Sequence, residues 1–198
     1  DHVDVRTASG DVDRFDQVVF AAHTDQTLAM LSDATPAERG VLGAIRYLPN
    51  DVVLHRDPRL MPRRRQVWSS WNYLRRHGYD AKRPVAVTYW MNRLQAIDET
   101  KPLFITLNPT EEPEKALVFA RYSYDHPQFD RAAIAAQARL PDIQGRNRSW
   151  FCGAWAGYGF HEDGLVSGLS VAEALGGVIP WRTQPALPGE MMLVEAAE

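Results

Sequence analysis

The chain has 198 residues, 45% of them hydrophobic and 24% charged, a globular composition with enough length for one sizeable core or two small ones. A formal net charge of −3 and a pI near 6.1 exclude the overall basic balance expected of a nucleic-acid binder, although Arg63-Arg64-Arg65 is locally basic. The single cysteine, Cys152, excludes an internal disulfide framework and fits a reducing, cytoplasmic compartment; no run of about 18 apolar residues is present to span a bilayer, which leaves only peripheral membrane contact open.

Val3 and Val5 begin a strand-like alternation, and a hairpin marked by Gly10 and Asp16 leads into the apolar run Val18-Val19-Phe20, which ends at Ala21-Ala22-His23. Thr24 to Leu31 reads as a short helix with Thr24 or Asp25 as its cap. A second helix opens at Thr35-Pro36-Ala37-Glu38, where a Thr cap, Pro at the first helical position and Glu one turn in make a capping-box start, and Val41, Leu42 and Ile45 give it a buried face. From Asn50 the pattern turns to strands: Asp51 to Arg56, Gln66 to Tyr73, Val85 to Asn92, Leu103 to Asn108 and Ala116 to Tyr124. β-Branched and aromatic residues alternate there between Pro, Gly and Asp clusters, the pattern of an antiparallel sheet with one wet face. Phe129 to Ala138 is an alanine-rich helix stopped near Pro141. Trp150-Phe151-Cys152 is a short apolar strand leading through Gly153 into a glycine-rich aromatic loop, Ala154 to Asp163, and then a helix from near Gly164 to Gly176-Gly177. The proline-containing tail from Pro180 reads as irregular. The expected class is α+β, an antiparallel sheet with helices.

The strand, glycine loop and helix from Trp150 to Gly177 resemble the C-terminal flavin motif of the FAD-dependent amine oxidase and phytoene desaturase superfamily, and in particular a bacterial branch described only as predicted NAD/FAD-binding oxidoreductases. The run from Gly10 to His23 resembles the strand by which such chains leave the FAD domain. The resemblance implies a division into residues 1–23 (end of the FAD domain), 24–145 (substrate domain), 146–177 (closing FAD element) and 178–198 (tail). It implies FAD as cofactor, held by Ala22, His23, Gly153, Ala154, Trp155, Gly159, Phe160, His161, Glu162, Asp163, Gly164 and Leu165, with N–H groups around Asp163 to Leu165 facing the flavin. The family's acidic residue after Gly153 is replaced by Ala154, which leaves the ribityl contact to Glu162 or Asp163. Hydride transfer to the flavin from a hydrophobic substrate, an acyl lipid, an isoprenoid or an amine, is the implied reaction. No G-x-G-x-x-G follows any strand and the chain opens at Asp1-His2, so it reads as the C-terminal fragment of a longer flavoprotein, one that binds FAD poorly or not at all by itself.

Other chemistry is less well supported. His161-Glu162-Asp163 is no metal site, because adjacent residues cannot all face one ion and no partner spacing such as His-x-x-x-His occurs. Cys152 sits inside an apolar strand without a nucleophile elbow, as a small buried hydrophobe does. Two uses compete for the aromatic group Trp68, Trp71, Tyr73, Tyr89 and Trp90: core packing, and an apolar substrate wall in which Trp71, Asn72 and Tyr89 take part, with Asn92 as a further polar group. A non-catalytic module that holds a lipid or other hydrophobic ligand is the alternative function.

Overall fold

The computed structural model describes residues 2–73 and 85–182. In chain order the elements are β1 (Val3–Arg6), β2 (Val12–Phe15), β3 (Val18–Phe20), α1 (Thr24–Met30), α2 (Pro36–Leu42), β4 (Arg46–His55), β5 (Trp71–Tyr73), β6 (Val87–Trp90), the single turn α3 (Met91–Leu94), β7 (Phe104–Leu107), β8 (Val118–Gln128), α4 (Arg131–Gln137), β9 (Ser149–Phe151) and α5 (His161–Ala174). They form two compact units, Asp1–Ile45 with Phe129–Glu198, and Arg46–Gln128.

In the first unit β1 and β2 form an antiparallel hairpin, and β3 pairs in parallel with β9, Val18 opposite Ser149 and Phe20 opposite Phe151. Cys152 N–H extends that ladder to Phe20 O at 3.0 Å, and the Phe20 and Phe151 rings stack with centroids 5.6 Å apart. The outer edge of β9 is closed by a side chain: the Gln144 amide donates to Phe151 O (2.6 Å) and accepts from Phe151 N–H (2.8 Å), taking the place of a neighbouring strand. Helix α2 starts where the sequence places it, with Thr35 Oγ1 accepting from Glu38 N–H and Glu38 Oε2 accepting from Thr35 N–H. Such a reciprocal cap is worth about 1 kcal/mol. The cap of α1 is His23, not Thr24, whose side chain is fully buried and donates to Ile45 O. Asp130 caps α4 by accepting from Ala133 N–H at 2.9 Å. Val41, Leu42, Ala133, Ala136, Ile143, Phe151 and Val171 are all buried. Helices α1, α2 and α4, expected within a 24–145 substrate domain, pack on one another in this unit: α1 contacts α2, and α2 contacts α4.

The second unit is a five-stranded antiparallel sheet in the order β5-β6-β7-β4-β8. The number of strands matches the sequence reading, but β4 starts five residues earlier than expected and β8 runs four residues further. There the two strands form a ribbon that is largely open to solvent, so no apolar alternation marks it. Pro49 is tolerated because β7 pairs only with Val52–His55, which leaves that side of β4 free. The strand expected over Gln66 to Tyr73 shrinks to Trp71–Tyr73. Arg65–Val67 is a 3₁₀ turn, and the Trp68 indole folds inward with Nε1–H on Pro62 O at 2.7 Å.

One face of this sheet is covered and the other presents aromatic residues. The covered face carries the row Asn72, Thr88, Thr106 and Val53 and, beside it, Trp90, Phe104 and His55, all at most 9% exposed. Met61 and Trp68, from the segment between β4 and β5, pack on Trp90 and Phe104. The expected tail falls largely on residues 183–198, outside the described residues.

Candidate functional site

Because β3 and β9 run parallel, Ala22-His23 and Gly153-Ala154 leave the sheet at the same carboxyl edge. Trp155 ties them together: its indole Nε1–H donates to Ala22 O at 3.2 Å, and the residue is 4% exposed. Gly153 has φ 150°, and a Cβ there would lie 2.6 Å from Trp155 Nε1, so only glycine lets the indole fold back over the strand end.

The loop that follows is held from three more directions. Gln137 on α4 donates both amide hydrogens, to Trp155 O (2.8 Å) and Gly157 O (2.6 Å). Ser167 on α5 accepts from Gly153 N–H at 3.2 Å. Asp163 Oδ2 accepts from Tyr158 N–H (3.1 Å) and Phe160 N–H (2.8 Å), and a Cβ on Gly157 would overlap that carboxylate. Sequence reasoning missed Gln137, Ser167 and Gln144. The first had a signal: it lies four residues after Ala133, which is fully buried, so it shares the inward stripe of α4 and brings a polar end with it.

Helix α5 opens at His161, three residues before the expected start near Gly164. The Asp163 carboxylate causes the difference, since it organises the preceding turn and lets the helix begin early. The helix-start N–H groups without an intrahelical acceptor are therefore those of His161, Glu162 and Asp163, while Gly164 N–H is already on Phe160 O at 3.3 Å. With Asp163 engaged by the loop, the exposed acidic side chain of the pair is Glu162. Of the remaining expected residues, Gly159, Phe160, His161 and Leu165 are exposed, Ala22, His23, Gly153, Ala154 and Gly164 are half-buried, and Trp155 is a buried staple.

In the second unit, Trp71, Tyr89, Ile105, Leu54 and Ala120 are successive cross-strand neighbours, as are Tyr73, Val87, Leu107, Val52 and Tyr122, so all ten share the face away from Trp68 and Trp90. Trp71 is 54% exposed, Tyr73 70% and Tyr122 47%, around a floor of Val87 and Val52 at 8% and 4%. Burial pushes the half-buried Tyr89 hydroxyl upward in pKa, and the nearby Tyr73 adds to it. Asn72 does not belong to this face. Its amide donates to Ser69 O and Thr88 O and accepts from Ser69 N–H, so the expected substrate contact has no free amide to make it. Asn92 likewise serves its own loop, through Asp98 O, Lys101 O and Leu103 N–H.

Cys152 is buried, and burial raises its thiol pKa, the opposite of what a nucleophile needs. Among the described residues no group of three His, Cys, Asp or Glu side chains is placed to hold a metal ion, and no helix is long and apolar enough to cross a membrane.

No family model matches this chain, and no curated protein matches it. Solved structures do. A CLA-producing fatty acid isomerase from P. acnes matches with TM-score 0.58 and 13% identity, over 87% of this chain and 44% of that one. A protein from Exiguobacterium sp. 255-15 assigned as a protoporphyrinogen oxidase matches with TM-score 0.52 and 11% identity, over 88% and 44%. A reduced UDP-galactopyranose mutase matches with TM-score 0.54 and 10% identity, over 87% and 44%. The chain thus spans less than half the length of each, and at these identities what it shares with them is the fold.

Proposed function

We propose that this chain is the C-terminal part of an FAD-dependent oxidoreductase acting on a hydrophobic substrate. The observation that carries the reading is the joining of Ala22 and Gly153 at the carboxyl edge of a parallel strand pair, beside the starts of α1 and α5. Open α/β sheets bind their ligands at that edge. The N–H groups of His161, Glu162 and Asp163, together with the positive end of a 14-residue helix, suit an electron-rich ring or a phosphate. The residues present therefore fit the cofactor.

When bound, FAD would supply the hydride acceptor. The chain's own part is positional. Trp155, Gln137, Ser167 and Asp163 fix the glycine loop, and Ala22, His23, Gly153, Ala154 and the exposed turn Gly159 to Glu162 offer the contacting surface. Leu165 adds an apolar side chain one turn into α5. The apolar face of the sheet, with Trp71, Tyr73 and Tyr89, supplies surface for an acyl, isoprenoid or similar substrate; the shared fold with a fatty acid isomerase supports the acyl choice. That same face favours the second reading, a module that holds a hydrophobic ligand without turning it over.

The test is the colour of the native polypeptide that contains this chain. Flavin absorbance, with FAD released on denaturation, supports the oxidoreductase. A colourless protein that fails to bind added FAD and co-purifies with lipid overturns it in favour of the module.

A further inference from the structure

We infer that the turn at residues 144–148 is a register lock: its side chains hold β9 at one setting against β3 and so keep Gly153 level with Ala22. The consequence for a flavin rests on the proposed function, but the lock is read without any cofactor, so either can fail alone.

β3 and β9 share three paired positions, Val18 with Ser149, Val19 with Trp150 and Phe20 with Phe151. A pairing this short fixes its own register weakly, because a slip of two residues returns every side chain to the same face of the sheet. At about 3.3 Å per residue, such a slip would carry Gly153 about 6.6 Å along β3. The Trp155 indole, which bonds Ala22 O at 3.2 Å, could not then close over the two strand ends.

The turn before β9 supplies what the short ladder lacks. Ile143, 1% exposed, seats it in the core of the unit. From there the Gln144 amide takes both the N–H and the carbonyl of Phe151, and Gly145 N–H takes Ser149 O at 3.0 Å. Two further bonds tie the same turn and strand to the residues that enter β3: Arg148 Nη1 donates to Asp16 O at 3.2 Å, and Trp150 Nε1–H to Gln17 Oε1 at 2.9 Å. A slipped β9 would lose all of these. The backbone points the same way, since Asn147 (φ 48°) and Arg148 (φ 60°) are successive non-glycine residues in the left-handed region. That conformation is costly and persists only where surrounding bonds over-determine it.

The test is disulfide trapping in the native polypeptide that contains this chain, with the linked peptides mapped by mass spectrometry. Cys152 follows Phe151, so Ala21 is its neighbour in the observed register and Val19 its neighbour after a slip of two residues. Neighbouring strand positions lie about 4.8 Å apart, within reach of a disulfide, whereas the observed register leaves Val19 about 8 Å from Cys152, beyond that reach. Val19 and Ala21 are exposed, so oxidised glutathione can cap a thiol introduced at either position, and Cys152 then displaces the cap. Ala21→Cys should link to Cys152 and Val19→Cys should not. Gln144→Met removes two neutral hydrogen bonds, worth about thirtyfold in an equilibrium, and should shift the ratio of the two linking rates towards Val19→Cys by about that factor. Arg148→Met should shift it in the same direction, while Arg148→Lys, which keeps a donor for Asp16 O, should hold the parent ratio. A merely structural loss would change both linking rates together and leave their ratio alone. A ratio within about threefold of the parent in Gln144→Met overturns the inference. So does ready linking of Val19→Cys with the turn intact, and so does an equal shift in Asn147→Gly, which relieves the backbone and keeps Gln144 and Arg148.

Discussion

Gln137→Met tests whether one side chain holds the glycine loop in shape. The Gln137 amide makes two hydrogen bonds, 2.8 Å to Trp155 O and 2.6 Å to Gly157 O. Met keeps the length and flexibility of Gln and removes both donors. At about 1 kcal/mol net for each neutral hydrogen bond the loss is about 2 kcal/mol. In a chain of this size that is a fall in Tm of about 4–8 °C. Gln137→Glu has a different signature. Near neutral pH its carboxylate would face two carbonyl oxygens, adding repulsion to the lost bonds, so it should be worse than Met. Once the introduced carboxyl is protonated in acid it can donate one hydrogen bond, and the gap between the two variants should close. Urea unfolding from neutral to mildly acidic pH measures both effects. If the Met variant stays within about 0.5 kcal/mol of the parent, or if Met and Glu cannot be told apart at neutral pH, the loop is held by something other than Gln137.

His55 gives an acid limb with a defined window. Burial holds its pKa down at about 4 against an ordinary 6.5, so the unfolded chain takes up a proton before the folded one does; stability is full above about pH 6.5, falls towards pH 4 by about 3 kcal/mol, and then levels. A His55→Gln chain should lack that limb, whereas losses tied to Asp57, whose carboxyl is held low mainly by Arg59, should begin only below its ordinary 3.8. Asn72→Ala and Trp71→Ala, neighbours on β5, should separate structure from function. The first removes three hydrogen bonds at a site 5% exposed and should cost about 2–4 kcal/mol in urea unfolding. The second, at 54% exposure, should cost under about 1 kcal/mol while weakening quenching of intrinsic fluorescence by a fatty acyl probe, and equal stability losses would contradict the assignment of faces. Cys152, at 7% exposure with its pKa raised, should react with a thiol reagent only as the protein unfolds; rapid labelling of the folded chain would refute its burial.

The legible parts of this sequence were those governed by local chemistry. Thr35-Pro36-Ala37-Glu38 specifies α2 because both cap hydrogen bonds lie within four residues. The strand β7 was legible because its buried residues alternate with half-buried ones. The parallel pairing of β3 with β9 brings together residues about 130 positions apart, and only the resemblance of the two segments to one family suggested it. The missed features depend on long-range or unusually placed polar groups. Asp163 sits inside the helix whose start it sets, and Gln137 and Gln144 act on backbone 7 to 20 residues away. The placement of Asn72 on the covered face was not legible for a similar reason, since spacing gives the face of a strand residue but not which face the neighbouring segment will cover.

That last point decides which face of the sheet the segment between β4 and β5 covers. A strand with Trp71, Asn72 and Tyr73 in succession could in principle bury either the two rings or the amide. The polar row settles it: His55 Nδ1 accepts from Asp57 N–H at 3.1 Å, which makes Nε2 the protonated nitrogen that donates to Thr106 Oγ1 at 2.7 Å. Thr106 then donates to Thr88 Oγ1 at 2.9 Å, and Thr88 to Leu60 O at 3.0 Å, so each proton in the chain has one acceptor and the last is a carbonyl of the covering segment. Turning the strands over would expose this satisfied row and bury the Trp71 and Tyr73 rings against a segment shaped to receive Trp90 and Phe104. With every buried side-chain polar atom among the described residues already partnered, a segment docked on this polar face leaves nothing unpaired. Polar satisfaction on one side of the sheet therefore turns the Trp71 and Tyr73 rings to the other, where they are 54% and 70% exposed.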